Sequence, residues 1–157
     1  MVESARYYQE SIQVSASREA SFQAIATGMD RWWTQTTEGG LGKVGDRVTA
    51  RFPPDYGHWT FEATVFDEVS RIEMVCVDAH HKVDGQPKEI DKEWLGTKII
   101  WHFESIGDKT GITMTHDGLT PTLNCWDICL DGWNHFFRSS LKAYLDGEEP
   151  SPHRSAA

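Results

Sequence analysis

The chain has 157 residues and carries fifteen Lys and Arg against twenty-four Asp and Glu, a net charge of −9. Because this negative field repels phosphate backbones and anionic lipid headgroups, we expect neither nucleic acid nor a membrane surface as a partner. No apolar stretch reaches the ~20 residues of a membrane span, and residues 1–9 lack the apolar centre of a secretory signal, so we expect a cytoplasmic protein. Length and composition predict one domain over residues 1–147 and a polar tail at 148–157 that frays.

The first part of the chain predicts a strand followed by two short helices. Residues 11–15 alternate between polar and apolar side chains, as in a half-buried strand. Ser17 is a typical N-cap residue, and the helical spacing that follows it ends near Thr27. The adjacent Trp32 and Trp33 are placed on the second short helix.

A glycine-rich segment at 36–45 predicts an open loop, because four glycines leave the backbone little to fix it. Within it, Gly39 to Gly45 is a candidate gate. Three runs of alternating apolar residues follow and predict a meander of antiparallel strands. Their inward-facing side chains are Val48, Ala50, Phe52, Trp59, Phe61, Ala63, Val65, Ile72, Met74 and Cys76.

A polar stretch and a hairpin come next. The segment from Asp78 to Glu93 is longer than most connections within a domain, which predicts either a functional flap or a short helix. Two alternating runs around a Gly-Asp turn then predict a β-hairpin. The inward-facing side chains of this hairpin are Ile99, Trp101, Phe103, Ile112, Met114 and His116.

A long helix is predicted to close the chain. Thr120 is its expected N-cap, Pro121 its first residue and Gly147 its end, which gives about 25 residues or ~37 Å. Apolar residues at three- and four-residue steps form a stripe that faces the sheet. This stripe consists of Trp126, Leu130, Trp133, Phe137, Leu141 and Tyr144, flanked by Cys129 and Phe136.

Several short motifs carry a resemblance to a known family: EWLGT at 93–97, HDGL at 116–119, Cys125, Gly-Trp at 132–133 and Ser-Leu-Lys at 140–142. With the element order, they resemble the START-like (SRPBCC) superfamily, in particular the branch related to the C-terminal domain of activators of the heat-shock-protein ATPase. The resemblance implies an α+β helix-grip fold, in which a curved antiparallel β-sheet wraps around a long C-terminal α-helix. It also implies a cavity between sheet and helix, but no single reaction, since the superfamily includes carriers, cyclases and co-chaperone domains.

Seven Trp in so short a chain indicate an aromatic binding site. This many indoles, on the inner face of the sheet and on the last helix, are difficult to pack without leaving a void suited to a flat guest. We therefore predict binding of a small hydrophobic or aromatic molecule by a monomer or weak homodimer, with no cofactor and no metal. The predicted lining is Trp59, Phe61, Met74, Trp101, Met114, His116, Trp126, Cys129 and Trp133.

His116 supports a second hypothesis. An inward imidazole would carry protons in a cyclase- or dehydratase-type enzyme, assisted by His58 or Asp131. The alternative is a structural histidine bonded to the backbone or to Asp117. A third hypothesis, a chaperone-associated interaction module, comes from the resemblance alone.

Two clusters invite a reactive or metal-binding interpretation. Cys125 and Cys129 lie one helical turn apart, where thiols bind soft metals or react with electrophiles. We favour buried thiols that act as small hydrophobes, because no further ligand has a matching spacing. For His80 and His81 a solvated loop is favoured over a metal site, since neighbours in an extended chain point apart.

Overall fold

The computed structural model describes residues 7–154, which form a seven-stranded antiparallel sheet in the spatial order β1-β7-β6-β5-β4-β3-β2. The strands are β1 Tyr8–Val14, β2 Thr36–Gly39, β3 Arg47–Phe52, β4 Gly57–Asp67, β5 Arg71–His81, β6 Lys98–Ile106 and β7 Lys109–Asp117. The helices are α1 Arg18–Ala26, α2 Met29–Trp32, a 3-10 helix Lys88–Lys92, and α3 at residues 126–145. This is the predicted α+β helix-grip fold. Within the described residues, no helix has both the length and the apolar character that a membrane span needs.

The two short helices form as the sequence predicts. Ser17 caps α1, because its hydroxyl oxygen accepts a hydrogen bond from the Ala20 amide at 3.0 Å. The second helix follows at once and buries Trp32 and Trp33. The Trp32 indole N–H donates to the Ala24 carbonyl at 2.8 Å, which fixes α2 to α1.

Two bulges interrupt the pairing of β4 with β5, one with its extra residue in β5 at Val77 and one with its extra residue in β4 at Thr64. A bulge adds one residue to a strand and so reverses the alternation beyond it. After the bulge that follows Ala63, Phe66 packs edge-on against Phe22, with ring centroids 5.2 Å apart. Val65 is only half-buried, so the prediction that it continues the inner face of the strand is wrong.

The predicted hairpin of β6 and β7 is confirmed. Trp101 pairs with Met114 and Ile99 with His116, and all four side chains are fully buried. This hairpin forms the solid part of the core, against which α1 packs.

The glycine-rich segment is not an open loop. Its first residues form β2, which pairs antiparallel with β3. Beyond β2, Leu41 is 1% exposed, and its amide donates to the Ala26 carbonyl at 2.8 Å. The predicted gate is therefore wrong, because Gly39 to Gly45 is anchored to the end of α1 by an apolar side chain and a backbone hydrogen bond.

The polar stretch at 78–93 begins as the end of β5 and then contains a short helix. The Asp91 carboxylate, on the 3-10 helix, accepts a hydrogen bond from the His81 amide at 3.0 Å. The same oxygen lies 2.6 Å from Nδ1 of His80. These contacts hold the short helix against the end of the strand, so the short-helix alternative is the one that the structure shows.

The last helix begins at Trp126, five residues later than predicted, because residues 121–125 form turns and a bend. Glu93 stabilises its start: the carboxylate accepts hydrogen bonds from the amides of Asn124 at 2.8 Å and Cys125 at 2.9 Å. An anion at a helix N-terminus also interacts favourably with the helix dipole. The first residue of the EWLGT motif thus caps α3, in place of Thr120.

The buried face of α3 repeats largely in steps of four residues. Because four residues exceed the 3.6 of one α-helical turn, such a face would rotate around a regular helix. The π-helical segment Asn134–Leu141, whose turns are wider, corrects the rotation. The buried residues are Cys129, Trp133, Phe137, Ser140, Leu141 and Leu145. Trp126, Leu130 and Tyr144, which were predicted on this face, are half-buried at its margin.

The tail is attached to the domain as far as His153, which contradicts the predicted fraying over that part. The Ser151 amide donates to the Ser140 hydroxyl at 2.8 Å, and the His153 amide donates to the Trp33 carbonyl at 2.8 Å. Pro152, between them, is buried. Residues 155–157 lie outside the described part of the chain.

Candidate functional site

A cavity of about 290 Å³ lies between the sheet and α3, near the lower end of the usual size of ligand pockets. Its lining residues are Trp33, Phe52, Tyr56, Trp59, His81, Trp94, Ile128, Cys129, Gly132, Trp133, Phe136 and His153. One side reaches the surface, since Tyr56 is 58% and Ile128 37% exposed. The wall is therefore almost entirely aromatic and apolar, and it has an entrance.

Two indole rings of the wall are nearly parallel, and two further pairs are tilted, Trp59 against Trp94 by 38° and Trp33 against Trp133 by 32°. Trp94 stacks on Trp133 with ring centroids 5.8 Å apart and planes 14° apart. Trp59 lies 4.9 Å from Trp94, and Trp33 lies 5.0 Å from Trp133. Flat aromatic surfaces of this kind complement a flat aromatic guest.

Three buried ring nitrogens in this wall have no nitrogen or oxygen partner: Nε1 of Trp59, Nε1 of Trp94 and Nδ1 of His81. They are three of the five such side-chain atoms among residues 7–154, so unpaired polar atoms are concentrated at the cavity. The Trp94 N–H group lies beside the Cys129 thiol, which is only a weak acceptor. By contrast, the indole N–H groups of Trp32 and Trp133 both donate to protein acceptors. These nitrogens belong to side chains of the cavity wall but are themselves buried, so the rings around them must shift before a polar atom of a guest can reach one.

His81 is held in its neutral form. Burial lowers the pKa of its imidazole below the usual value, and the carboxylate of Glu93 opposes this shift only in part. A neutral imidazole has one donor and one acceptor nitrogen. Because either tautomer is available, His81 can accept a hydrogen bond from a guest's hydroxyl group or donate one to its carbonyl oxygen.

His116 has no free nitrogen. The Trp133 indole N–H donates to its Nδ1 at 3.1 Å. Thr97 donates its hydroxyl proton to the Trp94 carbonyl at 2.6 Å, so its oxygen accepts the proton of His116 Nε2 at 2.9 Å. Burial lowers the pKa of His116 to about 3. The ring is therefore neutral, with its proton on Nε2, and it stands outside the cavity lining as a structural histidine.

The partners of His116 differ from those that the sequence predicts, which were the backbone or Asp117. The other proposed members of an enzyme site also lie apart from the cavity. His58 is 3.2 Å from the Asp78 carboxylate on the outer part of the sheet, and Asp131 is exposed on α3. The proton-carrier hypothesis thus has none of its predicted residues in the lining.

Of the nine predicted lining residues, the structure places Trp59, Cys129 and Trp133 in the cavity wall. Trp126 is half-buried on α3 and does not reach it. The remaining five are fully buried in the core beside the cavity: Phe61, Met74, Trp101, Met114 and His116. The indole of Trp101 shows why, since rings of Trp32 and Phe137 lie within 6.0 Å of it and fill the space.

Four residues that close the cavity are not predicted from the sequence pattern: Tyr56, His81, Trp94 and His153. Trp94 belongs to the turn after the 3-10 helix, His81 to the end of β5, and His153 to the tail. Tyr56 stands in the turn between β3 and β4. A large aromatic residue in a polar or Pro-rich segment, as at Trp94 and Tyr56, is the signal that would have identified two of them.

All three cysteines, Cys76, Cys125 and Cys129, are buried and form no disulfide. A hydrogen bond with Cys125 and burial both raise the pKa of the Cys129 thiol far above its usual range. Burial likewise raises the pKa of Cys76 to about 12. Because the thiolate is the nucleophile and the metal ligand, these groups act as small apolar side chains. Across residues 7–154, no three or more His, Cys, Asp or Glu side chains are grouped so as to hold a metal ion.

The fold and sequence are shared with known proteins. The chain is similar to the Aha1 dimer from Colwellia psychrerythraea, at 26% identity over 88% of this chain and 94% of that chain, with a TM-score of 0.69. Protein MLL2253 from Mesorhizobium loti is 17% identical over 90% of this chain and 98% of its own, with a TM-score of 0.71. PFC0360w, described as an HSP90 activator from Plasmodium falciparum, is 15% identical over 88% of this chain and 94% of its own, with a TM-score of 0.61.

The last two similarities concern the fold alone. None of the curated proteins matches the chain. The family described as Activator of Hsp90 ATPase homolog 1-like protein matches residues 15–146. This range includes α1, α2, the whole of α3 and every strand except β1. The chain therefore belongs to the Activator of Hsp90 ATPase homolog 1-like family.

Proposed function

We propose that the chain binds a small, flat aromatic molecule that carries a hydrogen-bond acceptor, in the cavity between the sheet and α3. The observation that carries this proposal is the set of unpaired nitrogens of Trp59, Trp94 and His81 in an aromatic wall. Buried polar groups in proteins are nearly always paired, and an unpaired one costs about 1–3 kcal/mol. A carbonyl or ether oxygen of a guest would recover that free energy.

Apolar burial supplies the affinity, and the nitrogens supply the selectivity. Transfer of an aromatic guest from water contributes roughly 25 cal/mol per Å² of apolar surface. The parts of the Trp94 and Trp133 rings that line the cavity contribute to the apolar surface that a guest would contact. A guest without an acceptor would leave the same indole N–H groups unpaired, so we expect it to bind more weakly than a matched guest with one.

A fluorescence titration with 6-propionyl-2-(dimethylamino)naphthalene tests the proposal, because this probe is flat, uncharged and carries one ketone oxygen. We expect saturable binding with a blue shift of the probe's emission. Trp94→Phe keeps an aromatic ring but removes the N–H group, and we expect it to weaken binding about tenfold, the value of one hydrogen bond.

Trp101→Phe is the matched control for this titration. Trp101 also has an unpaired indole N–H group, but it lies in the core outside the cavity, so its replacement should leave the affinity unchanged. Uptake of the probe that does not saturate, or an equal loss of affinity in both variants, would contradict the proposal.

A chaperone-associated role is the second candidate, because the family is named for activators of the Hsp90 ATPase. Such a role requires an exposed docking surface. The large apolar side chains that the described residues expose outside the cavity mouth lie on separate segments: Tyr7, Val44, Leu95 and Ile106. The cavity is the more developed apolar feature. Stimulation of an Hsp90 ATPase by the chain, without saturable binding of the naphthalene probe, would favour this second role.

A further inference from the structure

The aromatic cavity continues into a second hollow at its mouth. This outer hollow has a volume of about 480 Å³ and shares Tyr56, His81 and Ile128 with the inner cavity. Its remaining walls are Pro54, Asp55, Lys82, Val83 and Asp84. Because these three residues line both spaces, the two hollows are neighbours, and His81 stands between the indoles of the inner cavity and the outer hollow.

The two compartments differ in chemistry. The inner compartment is aromatic, and its lining contains no Asp, Glu, Lys or Arg. The outer compartment combines the apolar Pro54 and Val83 with the charged Asp55, Lys82 and Asp84. Asp55 and Lys82 pair with each other, with Nζ and Oδ2 3.3 Å apart. Their hydrogen bond is the main reason that the pKa of Asp55 is below its usual range.

Asp84 leaves the outer hollow with an unbalanced negative charge. Its side chain is exposed, and within the described residues it forms no ion pair at or below 4.0 Å. The chain as a whole carries a net charge of −9, which adds to the negative potential. An anionic group at this place would therefore be repelled, while a neutral or cationic group would be tolerated or attracted.

Building on the proposed function, we infer that the ligand is an elongated amphiphile with an aromatic head and an apolar linker that ends in a neutral or cationic group. The head occupies the inner cavity, the linker passes between Tyr56 and Ile128, and the end reaches Asp84. A polar atom at the junction of head and linker passes His81, which lines both compartments.

Three probes with the same head test this inference: 2-(dimethylamino)naphthalene carrying at position 6 a propionyl, a hexanoyl or a 5-carboxypentanoyl group. The hexanoyl probe has three more methylenes than the propionyl probe. We expect it to bind roughly 10- to 50-fold tighter, since each buried methylene contributes to affinity. The carboxylate of the third probe should cancel most of that gain.

Val83→Asp, in the wall of the outer hollow, is expected to reduce the ratio of hexanoyl to propionyl affinity to about one. Val44→Asp is the matched control: Val44 is 59% exposed and lines neither compartment, so the ratio should stay as in the unchanged protein. Thermal unfolding of both variants checks that each is folded.

The outcomes separate this inference from the proposed function. If the propionyl probe binds saturably but the hexanoyl probe is no tighter, or if Val83→Asp leaves the ratio unchanged, the inference is overturned and the proposed function stands. Tighter binding of the carboxylate probe than of the hexanoyl probe overturns the assigned charge. If no probe binds saturably, the proposed function fails, and the inference fails with it.

Discussion

Lowering the pH from 6.5 to about 4 is expected to destabilise the fold by about 1.4 kcal/mol per pH unit through His116. The pKa of this group is about 3 in the folded protein and 6.5 in a solvated chain. Between these two pKa values only the unfolded chain binds the proton. Proton binding therefore favours the unfolded state, and the free energy of unfolding falls as the pH falls. Above pH 6.5 neither state is protonated, and the contribution is constant. His81, whose pKa is also lowered by burial, acts in the same direction.

Urea unfolding of the protein and of His116→Gln at a series of pH values measures this effect. The glutamine amide can donate to Thr97 and accept from Trp133, as the imidazole does, but it has no proton to gain. We expect the variant to lose less stability between pH 6.5 and about 4. The slope of its unfolding free energy against pH should correspond to nearly one proton fewer taken up on unfolding. His102→Gln, on the exposed face of β6, is the control and should keep the original slope. Parallel pH profiles for the protein and His116→Gln would contradict the structural role of this histidine.

Replacing Trp133 with alanine is expected to reduce the free energy of unfolding by about 4 kcal/mol, in the range seen when large aromatic core residues are truncated. The indole is 2% exposed and contacts the rings of Trp33 and Trp94. Its N–H group is also the donor to Nδ1 of His116, so its loss leaves a buried acceptor unpaired.

Guanidinium unfolding gives the measurement, and Trp126→Ala is the matched control. Both residues are tryptophans on α3, but Trp126 is half-buried and lines no part of the cavity. We expect Trp126→Ala to reduce the free energy of unfolding by less than half of the loss caused by Trp133→Ala. Similar losses for the two variants would contradict the assignment of Trp133 to the centre of the core. Because Trp133→Ala is so destabilising, Trp94→Phe is the better probe of binding.

Much of the architecture follows from local patterns. Period-two alternation identifies the strands, and Ser17 marks the start of α1, because side-chain burial and capping are decided by neighbours in the sequence. The start of α3 was misplaced because its cap is Glu93, thirty-two residues before Cys125 in the chain. The reversal of alternation at Val65 depends on a bulge, which leaves no periodic trace.

The site was less accessible from the sequence than the fold. The alternation of side chains along the strands correctly places Trp59 and Trp101 on the inner face of the sheet. It does not predict whether other side chains fill the space next to each indole. At Trp101 the space is filled by neighbouring rings, and at Trp59 it is open. The wall also includes Trp94 and His153 from segments without periodicity, whose positions depend on tertiary contacts alone.

The indole N–H resonances of the ¹⁵N-labelled protein, assigned through Trp→Phe variants, test most directly whether the cavity binds a guest through its unpaired donors. On addition of 6-propionyl-2-(dimethylamino)naphthalene, we predict downfield shifts at Trp59 or Trp94 that saturate with the probe's concentration. Trp32, whose N–H group already donates to Ala24, should change little. Resonances of Trp59 and Trp94 that stay in place at saturating probe would contradict the assignment of this cavity as the binding site.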